Sequence, residues 1–127
     1  MKPLVINLKV VQNVMKFDKQ LLTAKAGTTI QVIVENPDFM QHNFVLIKAK
    51  TLEKVGAAAD KLAQDPNGAK QQYVPKTPDV LYATPLINPA GKFTLTIKVP
   101  NEPGDYPYVC TFPGHWRIMN GILRVSK

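Results

Sequence analysis

Apolar and polar positions alternate along most of this chain in short runs, the spacing of half-buried β-strands. Leu4-Val5-Ile6-Asn7-Leu8-Lys9-Val10 reads as the first strand, and Phe17 with Leu21 to Ala24 as a second extended piece. Gly27 turns the chain into Thr28 to Glu35, again with period two, and Asn36-Pro37-Asp38 breaks it. His42 to Ile47 is expected to form the next strand, with His42 at its beginning. From Thr51 to Gln64 the period changes: Leu52, Val55, Ala59 and Leu62 recur at helical spacing. Thr51 suits the N-cap, and Glu53 suits the positive end of the helix dipole. Asp65-Pro66-Asn67-Gly68 ends the helix, and Ala69 to Pro78 reads as a polar loop. Val80 to Ala83, Lys92 to Val99, Asp105 to Cys110 and Asn120 to Val125 complete the strands.

Seven or eight short strands with a turn about every ten residues predict an all-β, two-sheet Greek-key sandwich. A helical flap at about 51–64 is inserted between strands and shows no chemistry of its own. With no internal repeat and no composition shift, residues 1–127 are expected to form a single domain.

Composition sharpens this picture in three ways. At 127 residues, with 45% apolar and 20% charged residues, the chain is long and apolar enough to bury a core without covalent staples. The net charge of +7 comes mainly from scattered lysines without arginine–aromatic clusters, which argues against nucleic acid and for steering of acidic or anionic partners. A single cysteine excludes an intrachain disulfide, so cysteine usage does not report the redox compartment. No segment approaches membrane-spanning length. Met1-Lys2-Pro3 would suit a secretory leader, but Asn7, Lys9, Gln12 and Asn13 interrupt the apolar stretch behind it. The expectation is a mature chain or an excised domain.

The chemistry concentrates near the C-terminus, where Cys110, His115 and Met119 are spaced Cys-x4-His-x3-Met. The other histidine, His42, lies far upstream in Met40-Gln41-His42-Asn43-Phe44. Two imidazoles and a thiolate with a weak axial thioether are the donors of an electron-transfer copper site, because imidazole suits Cu(II) while thiolate and thioether suit Cu(I). Cys110 would end one strand and Met119 precede the next, so that the connecting loop delivers three donors to one end of the sandwich, where His42 joins them. Around the ligands, the Phe112 amide can donate to the Cys110 sulfur, Pro113 has no N–H to offer, and Asn43 can tie its strand to the Thr111 backbone. A copper enzyme would need further histidines for a catalytic metal, and a Cys–His hydrolase would need an orienting residue and an oxyanion device; neither is evident. Zinc accepts His and Cys, but a thioether serves it poorly. The reading is therefore a carrier holding one copper ion that cycles between Cu(II) and Cu(I), and not an enzyme. A redox domain cut from a larger extracytoplasmic oxidoreductase and a copper storage or delivery protein are the alternatives.

Cys110-Thr111-Phe112-Pro113-Gly114-His115 with Met119, together with Gln41-His42-Asn43-Phe44-Val45-Leu46, resembles the azurins and auracyanins of the cupredoxin family. Met15-Lys16-Phe17 resembles the Met-x-Phe of azurins, and Tyr106 stands four residues before the ligand cysteine as it does there. Two departures stand out: Gln41 replaces the glycine of azurins, as it does in auracyanins, and the azurin disulfide is absent. The resemblance implies a weak axial approach of the Gln41 carbonyl and a location in the periplasm or otherwise outside the cytoplasm. It also implies a monomer exchanging electrons with redox proteins such as a cytochrome or a membrane redox complex. Electron exit at the His115 ring edge would place Met15, Met40, Trp116 and Ile118, with Phe112 and Pro113, on an apolar docking rim. The alternative for Trp116 is inward packing over the flap.

Overall fold

The computed structural model describes residues 4–127; Met1-Lys2-Pro3, considered above as the start of a leader, lie outside the described residues. Eight strands and one α-helix follow in the order β1 (Leu4–Lys9), β2 (Leu21–Lys25), β3 (Thr29–Asn36), β4 (Val45–Ile47), α1 (Leu52–Ala63), β5 (Val80–Ala83), β6 (Gly91–Lys98), β7 (Gly104–Val109) and β8 (Asn120–Ser126). They form a three-stranded sheet, β1-β3-β6, and a five-stranded sheet, β2-β8-β7-β4-β5. The N-terminal strand of each sheet pairs in parallel, β1 with β3 and β2 with β8, while the remaining pairs are antiparallel. The sandwich with its helical flap matches the pattern of alternation and its one change of period.

The alternation decides which atoms enter the core. Ile30, Val32 and Val34 of β3 face inward and meet Leu8 of β1, Ile97 of β6 and Leu123 and Val125 of β8. Phe17, Phe44 and Tyr108 stack and cross edge-to-face in this interior, with ring centroids 5.1–6.1 Å apart, the offset geometry that the aromatic quadrupole favours. Tyr108 lies across its strand partner Gly121, where a Cβ would come within 2.4 Å of the ring; glycine there makes room for the aromatic floor. Tyr106 donates its hydroxyl to the Glu102 carbonyl four residues earlier, fixing the entry to β7.

Strand β4 departs from the expected span. It covers only Val45–Ile47, whereas His42 makes an isolated bridge to Ile87. The Phe44 amide is taken by the Thr84 hydroxyl at 2.9 Å rather than by a neighbouring carbonyl, which interrupts the ladder between His42 and Val45. Strand β4 is also buried on both faces, because α1 covers the outside of the larger sheet. Val45, Ile47 and Val109 pack there against Val55, Ala59 and Trp116 in a second core. Helix α1 begins after Thr51, yet the Thr51 hydroxyl does not cap it; it donates to the Lys48 carbonyl at 2.6 Å. The expected polar loop after the helix contains a short 3-10 turn over Ala69–Gln71. Gln72 and Tyr73 follow with φ of 58° and 53°, a left-handed conformation uncommon for residues with a side chain.

The packing of α1 generates a test. A Cβ on Gly56 would lie 2.3 Å from the Trp116 ring. Gly56→Ala gains about 1 kcal/mol in helix propensity, but overpacking costs roughly 1–3 kcal/mol at a site closed on both sides. The expected result is a lower urea midpoint with an unchanged m-value; a midpoint at or above that of the parent would show that the ring can move aside.

Candidate metal centre

Strands β7 and β8 carry the ligand loop on a closed stem. Their last ladder pair is Val109 with Asn120, and the next pair is continued by the Cys110 amide, which donates to the Met119 carbonyl at 3.0 Å. Within the loop, the His115 amide donates to Phe112 and the Met119 amide to His115, at 3.0 and 2.8 Å. This tight winding, with Gly114 at φ 85° supplying the left-handed step, turns the His115 ring back over the cysteine.

His42 reaches the same point from the neighbouring strand, since it precedes β4, which pairs with β7 through Val45 and Val109. Its amide and carbonyl both pair with Ile87, at 3.3 and 2.7 Å. His42 Nδ1 lies 3.7 Å from Cys110 Sγ and His115 Nδ1 lies 3.6 Å from it; the three donor atoms lie within 4.8 Å of one another. Bonds of about 2.0 Å to nitrogen and about 2.3 Å to sulfur, taken from zinc sites and set at trigonal angles, would hold N and S about 3.7 Å apart. The residues present therefore fit a single first-row metal ion. All three are buried.

Met119 is fully buried too, and its main chain is tied to both Cys110 and His115. Gln41 is half-buried and donates its side-chain amide to Asn88 Oδ1 at 2.7 Å, leaving its main chain on the segment that carries His42.

The groups around the donors are held by a dense polar network. Asn43 Oδ1 accepts the Thr111 amide at 2.8 Å, while Asn43 Nδ2 donates to the Gln72 carbonyl and to the Thr111 hydroxyl, both at 3.0 Å. The Thr111 hydroxyl in turn donates to the Tyr73 carbonyl at 2.6 Å. The strained Gln72–Tyr73 step thus aims two carbonyls at the clamp that joins the His42 and Cys110 segments. Tyr73 also meets the Phe112 ring edge-on at 5.6 Å. The flap, expected to be chemically idle, buttresses the site.

Trp116 does not sit on the surface. It is 9% exposed, packs on α1, and donates its indole N–H to Asp60 at 3.0 Å, with Arg117 stacked over the ring and paired to the same carboxylate. Inward packing, the alternative weighed for it, is what the structure has. Met15 and Met40 are half-buried and Ile118 is 60% exposed. Val14 and Phe39, which sequence reasoning passed over, are exposed as well. Their turns are joined by the Asn13 amide, which donates to Asp38 at 2.9 Å.

Asp38 is the residue that sequence reasoning missed. Counted only as a strand breaker, it is buried, and its Oδ2 lies 2.8 Å from His42 Nε2. An ionised carboxylate only accepts hydrogen bonds, so His42 Nε2 carries the proton and Nδ1 is left to face the sulfur. The available signal was an acidic residue four positions before a candidate ligand.

Burial sets the protonation of the donors. Desolvation pushes the Cys110 thiol up to about 11, against the opposing backbone N–H groups of Asn43 and Phe112. Desolvation, aided by His42 and opposed by Asp38, pushes the His115 imidazole down to about 4. For Asp38, desolvation acts upward but is outweighed by hydrogen bonds from Asn13, His42 and Phe39, so its carboxyl lies below its ordinary value. At neutral pH the metal-free site therefore holds a thiol and an uncharged His115, and a bound metal must displace the thiol proton.

These shifts define a pH window for the metal-free protein. Stability from keeping His115 neutral is complete above its unfolded value of 6.5 and is lost as pH falls through about 4. Stability from keeping Cys110 protonated is complete below 9.0 and is lost as pH rises through about 11. Urea midpoints of the metal-free protein should be flat between these limits and fall on both sides. A midpoint that keeps rising above pH 9 would contradict the burial of the thiol.

Comparison with known proteins places this geometry. A profile described as copper binding proteins, plastocyanin/azurin family, matches residues 4–126. Auracyanin-B of Chloroflexus aurantiacus is 32% identical over 126 residues, covering 95% of this chain and 52% of that protein. Azurin of Achromobacter denitrificans is 38% identical over 92 residues, covering 69% of this chain and 58% of that one. The chain thus spans between half and three-fifths of the length of these two relatives. The solved structure of auracyanin A, described as a "blue" copper protein from Chloroflexus aurantiacus, superposes with a TM-score of 0.85 at 30% identity, covering 98% of this chain and 100% of that one. With the two imidazoles and the thiolate already converged on one point, the chain belongs to the plastocyanin/azurin family of copper-binding proteins.

Proposed function

We propose that this protein is a one-electron carrier built on a single type 1 copper ion. The observation that carries the reading is the convergence of His42 Nδ1, Cys110 Sγ and His115 Nδ1 within 4.8 Å in a buried site braced by both sheets. Copper bound there would supply the change between Cu(II) and Cu(I); the chain supplies a rigid donor set acceptable to both states. Met119 would supply a fourth, weaker thioether donor, a role supported by its burial and its main-chain ties to both neighbouring ligands. The Gln41 carbonyl is at most a fifth, weaker contact. Asn43, Thr111, Phe112 and Pro113 hold and tune the thiolate. Residues 1–127 act as one electron-transfer domain, a reading supported by a family match over residues 4–126.

With no further histidine to hold a catalytic metal, the protein works as a carrier rather than as an enzyme. Delivery of copper is the poorer alternative, since delivery sites expose their donors on flexible segments and these are buried and clamped. Its partners are redox proteins outside the cytoplasm, a reading that rests on the auracyanin and azurin relatives. No helix among the described residues is long and apolar enough to cross a membrane. Docking uses an apolar rim of Ile118, Met15 and Met40, to which Val14 and Phe39 add exposed surface. A monomer leaves that rim free.

Titration with Cu(II) should produce an intense visible thiolate-to-copper band that Cys110→Ser abolishes; a colourless complex of the folded protein would overturn the reading. Met119→Leu should keep the colour and raise the reduction potential, and an unchanged potential would remove Met119 from the axial position. Ile118→Ser should slow electron exchange with a redox protein about tenfold while leaving the potential unchanged, on the order of the loss of one buried apolar anchor. Equal exchange rates for the two proteins would move docking elsewhere.

A further inference from the structure

A buried carboxylate is costly unless its charge is answered. Asp38 is 2% exposed, and among the described residues no lysine or arginine lies within ion-pairing distance of it; its partner is the His42 ring. Its position is fixed from three sides. The Asn13 amide donates to Oδ1 at 2.9 Å, the Asp38 amide donates to the Asn36 side-chain oxygen at 3.1 Å, and Asn36 Nδ2 holds the Met40 and Ile87 carbonyls at 2.8 Å each. Asn36 therefore staples the turn that presents Asp38 to the same Ile87 carbonyl that pairs with His42. The two imidazoles are treated unequally: His42 carries a carboxylate on its outer nitrogen, and among the described residues His115 does not.

Taking the copper reading above as its basis, we propose that Asp38 sets the redox balance of the site. It fixes His42 as the Nε2–H form with Nδ1 toward the metal, and its fixed negative charge favours the divalent over the monovalent ion. The charge count gives the direction. A Cys110 thiolate and an Asp38 carboxylate together carry two negative charges in a buried volume, which Cu(II) neutralises and Cu(I) leaves half uncompensated. Without the carboxylate the count reverses: Cu(I) is neutralised and Cu(II) leaves a surplus positive charge. Asp38 thus holds the potential below the value that the four-donor set alone would confer. Partners positioned behind a metal ligand in this way typically contribute 10–100-fold to metal affinity.

Asp38→Asn tests this, because it removes the charge while keeping the shape and one acceptor oxygen. The variant should remain coloured, bind Cu(II) at least tenfold more weakly relative to Cu(I), and show a potential raised by about 59 mV for each tenfold change in that ratio. Asp105→Asn, which removes an equal charge from the exposed pair with Arg124, should leave the potential where it was. A coloured Asp38→Asn protein with the parent's potential would overturn the proposal while leaving the copper reading intact, as would an equal rise in Asp105→Asn. Loss of colour in the parent protein would instead remove the copper reading itself. Should Asp38→Asn fail to fold, nitrogen-15 spectra of the Cu(I)-loaded parent test the Asp38–His42 contact on which the proposal stands. A His42 Nε2 proton protected from exchange and shifted by the Asp38 carboxylate supports the proposal, and an unprotonated or freely exchanging Nε2 overturns it.

Discussion

The hydrogen bond from the Cys110 amide to the Met119 carbonyl is the constraint on which the rest of the site depends. It continues the β7–β8 ladder one pair beyond the last paired strand residues, so the loop between them starts and ends on sheet geometry rather than on free chain. An eight-residue connection pinned in this way has few conformations left, and most of the entropy needed to order its ligands is already spent in folding the sheet. The imidazole of His115 and the sulfur of Cys110 are then separated by the loop's internal hydrogen bonds, not by the metal. His42, bridged to Ile87, needs only the pairing of β4 with β7 in the same sheet to complete the triangle.

Around that stem the structure spends its polar groups on rigidity. Asn43, Thr111 and the carbonyls of Gln72 and Tyr73 form a continuous clamp in which each buried donor finds an acceptor, and among the described residues no buried side-chain nitrogen or oxygen is left without a partner. Helix α1 contributes from outside by packing on Trp116, which follows the ligand His115 directly. The consequence for electron transfer is physical: a donor set clamped from both sheets and from the flap changes little when the metal changes charge, so little of the barrier goes into rearrangement.

Much of this was legible in the residues. The period-two run over β3 and the helical spacing of Val55 and Ala59 located elements to within a residue or two because one face of each is more exposed and the other buried. The spacing of Cys110, His115 and Met119 marked the site because metal chemistry demands those atom types. Strand β4 was harder: with both faces buried it has no alternation to read, and the Thr84 hydroxyl that shortens it lies forty residues away. The role of the flap was invisible, since the groups it contributes are main-chain carbonyls, which every residue has. Asp38 was overlooked for a related reason. A turn acid is usually solvated, and the contacts that hold this one inside, to Asn13, Asn36 and His42, form only in the folded chain. Trp116 was ambiguous because an indole beside a surface ligand suits either side, and only Gly56 makes room for it inside.

The compact grouping of three donors within ten consecutive residues, from Cys110 to Met119, has a consequence for assembly in the cell. A nascent or denatured chain keeps that local chelate even with both sheets dissolved, whereas His42, almost seventy positions upstream, joins only in the native state. Copper met too early would occupy a partial, solvent-open site on the unfolded polypeptide, and the thermodynamic benefit of the ion to the native fold shrinks by whatever the unfolded chain already binds. Maturation is therefore best served when the sandwich closes first and the ion arrives afterwards.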